Sequence, residues 1–133
     1  NIFFMATQKN PKDSFFRGRL RSFKFALKGM WLLITTEDSI KAQLIVAAII
    51  TAFGFYFNIS NIEWMFQFFS IGLVLVAEAL NTAVEKIADF VHPDYHKKIG
   101  FIKDIAAGAS SFAAFTSLII AGFIYISKIS LLF

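Results

Sequence analysis

Four polar residues recur at helical spacing between residues 78 and 89. They are Glu78, Asn81, Glu85 and Asp89, and Thr82 directly follows Asn81. Because steps of three and four residues return to one face of an α-helix, the segment predicts a single polar row. A carboxylate in such a row can act as a general base, and two of them can share a divalent cation with phosphate oxygens.

The depth of Glu78 argues for function. The apolar run Leu73–Ala77 comes immediately before it, and an ionisable residue inside a spanning helix is costly and usually functional. Glu78 lies about 20 Å along a helix that starts at Trp64, and Glu85 lies about 10 Å further on. The row therefore predicts a path from a buried lipid hydroxyl to a soluble phosphate donor. The alternative is that this helix end is simply solvated, which fits Asp89 better than Glu78.

Two further groups of charged residues could act with this row. Lys103 is predicted at a helix start, where a cation opposes the helix dipole unless an anion such as phosphate binds there. Asp104, taken alone, fits a plain N-cap. Glu37 is an ordinary loop acid by itself and gains meaning only as the partner of Glu85 in binding Mg²⁺.

Three apolar runs predict the elements that position these residues. They extend from about Ala42 to Phe57, from about Glu63 to Val91 and from about Asp104 to Ile126, with a polar connection over residues 92–103. A spanning helix needs ~17–25 residues. Hydrophobic residues make up 57% of the chain and the mean hydropathy is +0.65, against roughly 45–50% apolar residues in soluble proteins. The sequence predicts an all-α membrane protein.

A fourth, amphipathic helix is predicted from Asp13 to Ile34. Apolar residues recur at steps of three and four, and a basic line that includes Arg17 and Lys28 lies beside them. This pattern is typical of a helix in the membrane interface; the alternative is a surface helix on a soluble core. The pattern breaks after Ile34, where Thr36 or Ser39 could cap the next helix.

The distribution of positive charge predicts the orientation. Eight lysines and arginines precede the first span, the first loop has none, four lie from Lys86 to Lys103 and one follows the third span. Positive charge marks the cytoplasmic side, so the N-terminal helix and the second loop are predicted to be cytoplasmic. This pattern also explains the net charge of +4 without nucleic acid.

Several kinds of chemistry are excluded by missing residues. The chain has no cysteine, which excludes a disulfide framework, a thiolate metal site and a cysteine nucleophile. It also lacks the G-x-x-x-x-G-K-[ST] loop and the H-R-D and D-F-G motifs. A kinase with this sequence would be neither a P-loop enzyme nor a protein kinase.

The polar motifs in combination resemble the prokaryotic diacylglycerol kinase family, which includes the undecaprenol kinases. The resemblance rests on the segment from Glu78 to Glu85, then on Asp89, Tyr95, His96, Gly100, Lys103 and Asp104. It extends back through Glu37 and Lys28-Gly29, and so covers residues 16–126. The resemblance implies a homotrimer with active sites shared between neighbouring protomers. Each protomer would have three spanning helices and one interfacial helix.

The resemblance also implies a role for each matching residue. Glu78 would be the general base on the lipid hydroxyl, and Asn81 would position groups at the reacting centre. Glu37 and Glu85 would hold the Mg²⁺ bound to ATP. The implied nucleotide contacts are Tyr95, His96, Lys103, Asp104, Phe25 and an arginine that is either Arg17 or Arg19. Phe25 stands where some members have tyrosine. Glu78 and Ala107 are the implied lipid contacts.

The resulting hypothesis is an ATP- and Mg²⁺-dependent lipid kinase of the bacterial inner membrane, with its N-terminus and active site cytoplasmic. Residues 1–12 are interpreted as a disordered or vector-derived N-terminus and residues 13–133 as one lipid-kinase domain. The substrate is diacylglycerol, giving phosphatidic acid, or undecaprenol, giving its monophosphate; residues 105–109 look more like the polyprenol branch. The alternatives are a non-catalytic oligomeric channel or assembly protein, and a homologue that binds nucleotide without turnover.

Overall fold

The computed structural model describes residues 14–133, so the interpretation of residues 1–12 lies outside the described part. The described residues form four α-helices and contain no β-strand. The helices are α1 (Phe15–Thr36), α2 (Asp38–Tyr56), α3 (Asn61–Val91) and α4 (Lys97–Ser130). The all-α prediction is confirmed. The chain divides into two compact units, one ending at Asp38 and one beginning at Ser39.

The first unit contains α1. Its N-cap is Ser14, whose hydroxyl accepts a hydrogen bond from the Arg17 backbone N–H at 3.3 Å. The predicted apolar stripe is exposed, with Phe16 at 71% and Phe23 at 64%. An exposed aromatic stripe beside basic residues fits a helix at a membrane surface, and that location remains a prediction.

The predicted caps at the break between the first two helices are wrong. Thr36 is the last residue of α1 and Ser39 lies inside α2. The Thr36 hydroxyl donates to the Leu32 carbonyl at 2.6 Å. A threonine can satisfy its hydroxyl on the carbonyl four residues earlier, so the polar run did not have to interrupt the helix where the pattern suggested.

The second unit contains three helices that are long and apolar enough to cross a membrane: α2 with 19 residues, α3 with 31 and α4 with 34. The prediction of three transmembrane helices is confirmed. By its rise per residue, α3 is about 46 Å long, which exceeds the ~30 Å hydrocarbon core of a bilayer. Part of α3 must therefore lie outside the hydrocarbon region.

The start of α3 is fixed by a capping box. The Ser60 hydroxyl accepts from the Glu63 N–H at 3.2 Å, and the Glu63 carboxylate accepts from the Ser60 N–H at 3.0 Å. The two reciprocal bonds satisfy backbone donors that have no partner within the helix. The helix consequently begins at Asn61, two residues before the predicted start.

The start of α4 corrects the sequence prediction by seven residues. Residues 97–103, predicted as a polar connection, are helical from Lys97 onward. His96 is the N-cap, and its Nδ1 accepts from the Lys98 N–H at 3.1 Å. Asp104 is therefore not an N-cap, and Lys103 does not lie at the helix terminus. Hydropathy locates the apolar part of a helix and misses the polar turns that continue it into water.

Helices α3 and α4 form the main packed pair, and α2 joins them near its C-terminal end. There the Ile50 carbonyl accepts from Gln67 Nε2 and from the Tyr125 hydroxyl, both at 3.2 Å. Gln67 Oε1 is a second acceptor for the Tyr125 hydroxyl, whose single proton is shared between the two acceptors. Ile59 and Ile124 complete a small buried core around Tyr125. These contacts hold the three helices together at the end where the α2–α3 loop lies.

Beyond this joint, a cavity of about 300 Å³ lies between α2, α3 and α4. Most of its lining residues are apolar, and on α3 the lining reaches Val74 and Leu75. Those two residues come four and three positions before Glu78, about one helical turn. The cavity therefore extends to within about one turn of the predicted polar row.

Candidate active site

The predicted polar row lies on one continuous helix. Glu78, Asn81, Glu85 and Asp89 all belong to α3. Glu78 and Asn81 are half-buried, whereas Glu85 and Asp89 are exposed. The row thus passes from the packed part of the second unit to its exposed surface, as its spacing predicts. The chemical roles of these residues remain predictions.

Local sequence explains why α3 carries the row and where it stops. No proline interrupts residues 61–91, and several alanines lie among the polar positions, which favours helix. The helix ends at Val91, and the His92 N–H closes the last turn on the Ala88 carbonyl at 2.9 Å. Pro93 disfavours helix in the residue before it, so the predicted stop is confirmed.

Asn81 carries an unsatisfied buried atom. Its side-chain Oδ1 is buried and has no hydrogen-bond partner within the part of the chain that the structure describes. A buried acceptor without a partner costs free energy, about 1–3 kcal/mol, and calls for an explanation. Among the described residues, Ser70 and Ser110 also have a buried hydroxyl oxygen without a partner, but only Asn81 lies in the polar row.

An ion pair joins the row to α4. Lys103 Nζ lies 2.5 Å from Asp89 Oδ1, and both side chains are partly exposed. Lys103 does not lie at the start of α4, and the nucleotide-binding role that the resemblance implies for it remains a prediction. The structure instead places its ammonium beside the last carboxylate of the row. The contact brings together two charged positions from the resemblance.

The remaining predicted residues of the second unit lie around the connection between α3 and α4. Tyr95 is 90% exposed, and its ring stands beside Gly100, where a Cβ would lie 3.9 Å from Tyr95 Cε2. The His96 ring packs edge-on against His92 with centroids 5.2 Å apart. Asp104 and Ala107 lie on exposed positions of α4.

The predicted residues of the first unit are Glu37, Arg17 and Phe25. Glu37 is the C-cap of α1; its N–H donates to the Leu33 carbonyl at 3.2 Å, and its carboxylate accepts from the Thr36 hydroxyl at 3.3 Å. Arg17 is exposed and Phe25 half-buried. The Arg19 guanidinium lies 5.1 Å above the Phe15 ring. Because Glu37 belongs to a different unit from Glu85, their pairing remains a prediction.

Magnesium would have to be held by few protein groups. Across residues 14–133, no cluster of three or more aspartate, glutamate or histidine side chains is suited to a metal. Mg²⁺ usually takes one or two carboxylates together with substrate phosphates and water. The exposed carboxylate of Glu85 fits that donor set, since it leaves room for phosphate oxygens.

Two features of the site escaped the sequence reasoning. The contact between Asp89 and Lys103 joins residues 14 positions apart on different helices, and helical periodicity carries no information about such a pair. The His96 cap had a weak signal, because a polar residue before a lysine-rich turn can start a helix. Histidine is not among the preferred N-caps, so the sequence gives little indication of this helix start.

The fold and these contacts define a multi-pass membrane protein that carries a row of polar residues on α3. The sequence profile of prokaryotic diacylglycerol kinase matches residues 24–125. The chain belongs to the prokaryotic diacylglycerol kinase family and is a lipid kinase. This finding removes the support for a non-catalytic channel or assembly protein.

Relatives from three bacteria resemble the chain over most of its length. It is 34% identical to the undecaprenol kinase of Bacillus subtilis over 121 residues, which cover 91% of this chain and 95% of the relative. It is 27% identical to the diacylglycerol kinase of Haemophilus influenzae, over 80% of this chain and 86% of that protein. The diacylglycerol kinase of a Synechocystis strain is 28% identical over 77% of this chain and 59% of that protein.

Proposed function

We propose that this lipid kinase transfers the terminal phosphoryl group of ATP, as its Mg²⁺ complex, to the hydroxyl of a polyprenol such as undecaprenol. The observation that carries the proposal is the row on α3, which passes from half-buried Glu78 and Asn81 to exposed Glu85. Such a row can serve a lipid hydroxyl at one end and a water-soluble phosphate donor at the other.

Glu78 is the proposed general base. Its carboxylate accepts the proton of the lipid hydroxyl while the hydroxyl oxygen forms a bond to the terminal phosphorus. The bond from that phosphorus to the bridging oxygen breaks, and ADP leaves. The residues that precede Glu78 on α3 are apolar, which suits a base that acts on the hydroxyl of a membrane lipid.

Asn81 is proposed to orient the reacting groups. Its buried, unpartnered Oδ1 can accept a hydrogen bond from the substrate hydroxyl or from a bound water. Phosphoryl transfer depends mainly on positioning and on charge stabilisation. Asn81 Oδ1 fits that requirement because no other group in the described residues uses it as a hydrogen-bond acceptor.

Glu85 and Glu37 are the proposed ligands of Mg²⁺, which when bound neutralises the developing charge on the phosphates. Tyr95, His96, Lys103 and Asp104 are the proposed nucleotide contacts of the second unit. Arg17 and Phe25 are those of the first unit. The exposure of Tyr95, His96 and Asp104 supports this assignment, since a nucleotide arrives from water.

One observation favours a polyprenol over diacylglycerol. The undecaprenol kinase of Bacillus subtilis shares more identity with this chain, at 34%, than the diacylglycerol kinase of Haemophilus influenzae, at 27%. The apolar cavity that ends about one turn from Glu78 offers a surface for a hydrocarbon chain of either lipid.

The proposal includes the setting of the enzyme. The lysine and arginine distribution supports a cytoplasmic N-terminus and a cytoplasmic active site in a bacterial inner membrane. Many large apolar side chains of α2, α3 and α4 are exposed, which fits contact with lipid and with two further copies in a homotrimer. A trimer could also bring Glu37 and Glu85 of neighbouring protomers together.

The test is phosphorylation of undecaprenol and diacylglycerol by ATP, assayed side by side in mixed micelles with Mg²⁺. We expect turnover of undecaprenol to exceed that of diacylglycerol, and we expect Glu78→Gln to lower kcat by about 10²–10⁴-fold. Preferential turnover of diacylglycerol would refute the proposal that the substrate is a polyprenol. Turnover of neither lipid by folded wild-type protein would overturn the activity on both.

A further inference from the structure

We infer that Asp89 is a positioning residue, which holds the Lys103 ammonium at the exposed end of the polar row for the phosphates of ATP. The inference rests on the proposed function and extends it, because it gives Asp89 a specific role beyond that of the last acid in the row. Asp89 would act through Lys103 and would not itself need to touch the nucleotide.

The ion pair has the geometry of a positioned cation. Asp89 Oδ1 and Lys103 Nζ are 2.5 Å apart, and the two residues come from different helices. The side chains remain 60% and 36% exposed, respectively. An ion pair this exposed contributes little to stability. A contribution to folding stability therefore does not explain this ion pair well. Binding of a phosphate explains it better, because a phosphate requires a charged group that it can reach.

The position along α3 specifies which part of the substrate the cation would meet. Asp89 lies four residues after Glu85, about 6 Å along the helix axis. A lysine held there lies next to the proposed Mg²⁺ ligand and well away from Glu78, which lies about 16 Å further back. Lys103 would thus contact phosphate oxygens on the side of the nucleotide and leave the lipid hydroxyl to Glu78.

Asp89 satisfies only part of the hydrogen-bonding capacity of Lys103. An ammonium group has three donors, and the structure shows one of them directed to Asp89. The others can reach phosphate oxygens without breaking the pair. A long lysine side chain that is already ordered loses less conformational entropy when ATP binds. Asp89 therefore prepares the lysine for its ligand.

The opposite role makes an opposite prediction. If Asp89 merely competed with phosphate for the lysine, its removal would free the ammonium and lower the KM for ATP. It would also remove a negative charge near the nucleotide. If Asp89 positions Lys103, its removal raises the KM for ATP. The two roles of Asp89 therefore predict changes of opposite sign in the KM for ATP when Asp89 is removed.

The experiment compares Asp89→Asn and Asp89→Glu with the wild type in detergent micelles. For Asp89→Asn we expect a KM for ATP about tenfold higher, as for loss of a hydrogen bond to a charged group, with the KM for the lipid unchanged. Asp89→Glu keeps the charge and should recover most of the loss. Asp89→Asn/Lys103→Met should be no worse than Lys103→Met alone, because Asp89 acts through the lysine.

The matched control is the second ion pair between the same helices. Lys128 Nζ lies 2.7 Å from Glu63 Oε2 at the opposite end of α3 and α4. Glu63→Gln removes that charge pair, and glutamine can still complete the capping box. We expect the KM for ATP to be unchanged in this variant. Thermal unfolding of each variant shows whether a change in KM comes from loss of the fold.

Three results would overturn the inference: an unchanged KM for ATP in Asp89→Asn, a lower one, or an equal rise in Glu63→Gln. Each presupposes that the wild-type protein phosphorylates a lipid. A folded wild-type protein without turnover would refute the proposed function instead. In that case, binding of ATP to the wild type and to Asp89→Asn, measured by calorimetry, would still decide whether Asp89 positions Lys103 for phosphate.

Discussion

The indole ring of Trp64 lies directly over the backbone of Gly54, so closely that a Cβ at residue 54 would lie 2.6 Å from Trp64 Cη2. The contact joins the C-terminal end of α2 to the first turns of α3. A rigid aromatic ring cannot withdraw as the tip of a flexible side chain can. Residue 54 is therefore restricted to glycine by packing, and no unusual backbone conformation is involved.

The first prediction follows from this contact. Gly54→Ala should destabilise the protein by about 1–3 kcal/mol, because the added methyl group overpacks the joint between α2 and α3. Thermal unfolding in detergent measures the effect. Gly72→Ala is the control: outside its own helix backbone, no described atom lies within 4 Å of a Cβ at that position. Equal behaviour of the two variants would contradict the packing argument.

The second prediction concerns the hydrogen bonds of Tyr125. Tyr125→Phe removes the hydroxyl that donates to Gln67 and to the Ile50 carbonyl. The buried oxygen of Gln67 then loses a donor, so we expect a loss of about 1–3 kcal/mol. Tyr56→Phe, at a 72% exposed position, should change stability by no more than about 0.5 kcal/mol. A neutral Tyr125→Phe would show that water or lipid replaces the hydroxyl.

The sequence predicted features that lie within one helix, but it did not predict the contacts that join α2, α3 and α4. The three spans follow from runs of apolar residues, and the polar row of α3 follows from spacing within one helix. The contacts of Trp64 with Gly54 and of Tyr125 with Ile50 join separate helices. Hydropathy assigns residues to the membrane, but it does not state which face of one helix meets which face of another.

The same distinction applies to the candidate site. Glu78, Asn81 and Glu85 could be grouped from their spacing alone, because they share one helix. The predicted start of α4 was wrong because the first turns of this helix are polar. The helix dipole therefore gives no reason for an anion at Lys103, and the role that the resemblance implies for Lys103 stays a prediction. The pairing of Lys103 with Asp89 depends on how α3 and α4 pack. Short-range patterns therefore predicted the row and singled out Lys103, but they missed the contact between Lys103 and Asp89.

The third prediction separates stability from activity at Asn81. Asn81→Leu removes the buried, unpartnered oxygen and replaces it with an apolar group of similar size. The variant should be as stable as the wild type or more stable, by up to about 1–2 kcal/mol, while its turnover falls sharply. Thermal unfolding and the lipid kinase assay, on the same preparation, measure the two effects. A strong loss of stability would mean that Asn81 has a structural partner in the assembly.

The last prediction concerns the proposed metal ligand Glu85. Glu85→Gln keeps the shape of an exposed side chain and removes a charged oxygen ligand, which Mg²⁺ prefers. We expect the Mg²⁺ concentration that gives half-maximal rate to rise at least about tenfold, as metal affinities do when their sites are altered. Initial rates at fixed ATP, with Mg²⁺ titrated from below to above the nucleotide concentration, measure it.

Glu63→Gln supplies the matched control for this titration. Glu63 lies at the opposite end of α3 and pairs with Lys128, so the same chemical change there should leave the Mg²⁺ dependence as it is in the wild type. If Glu85→Gln lowered kcat without changing the Mg²⁺ requirement, Glu85 would be a positioning residue and not a ligand. If Glu37→Gln shifted the requirement as Glu85→Gln does, the two carboxylates would be assigned to one metal site.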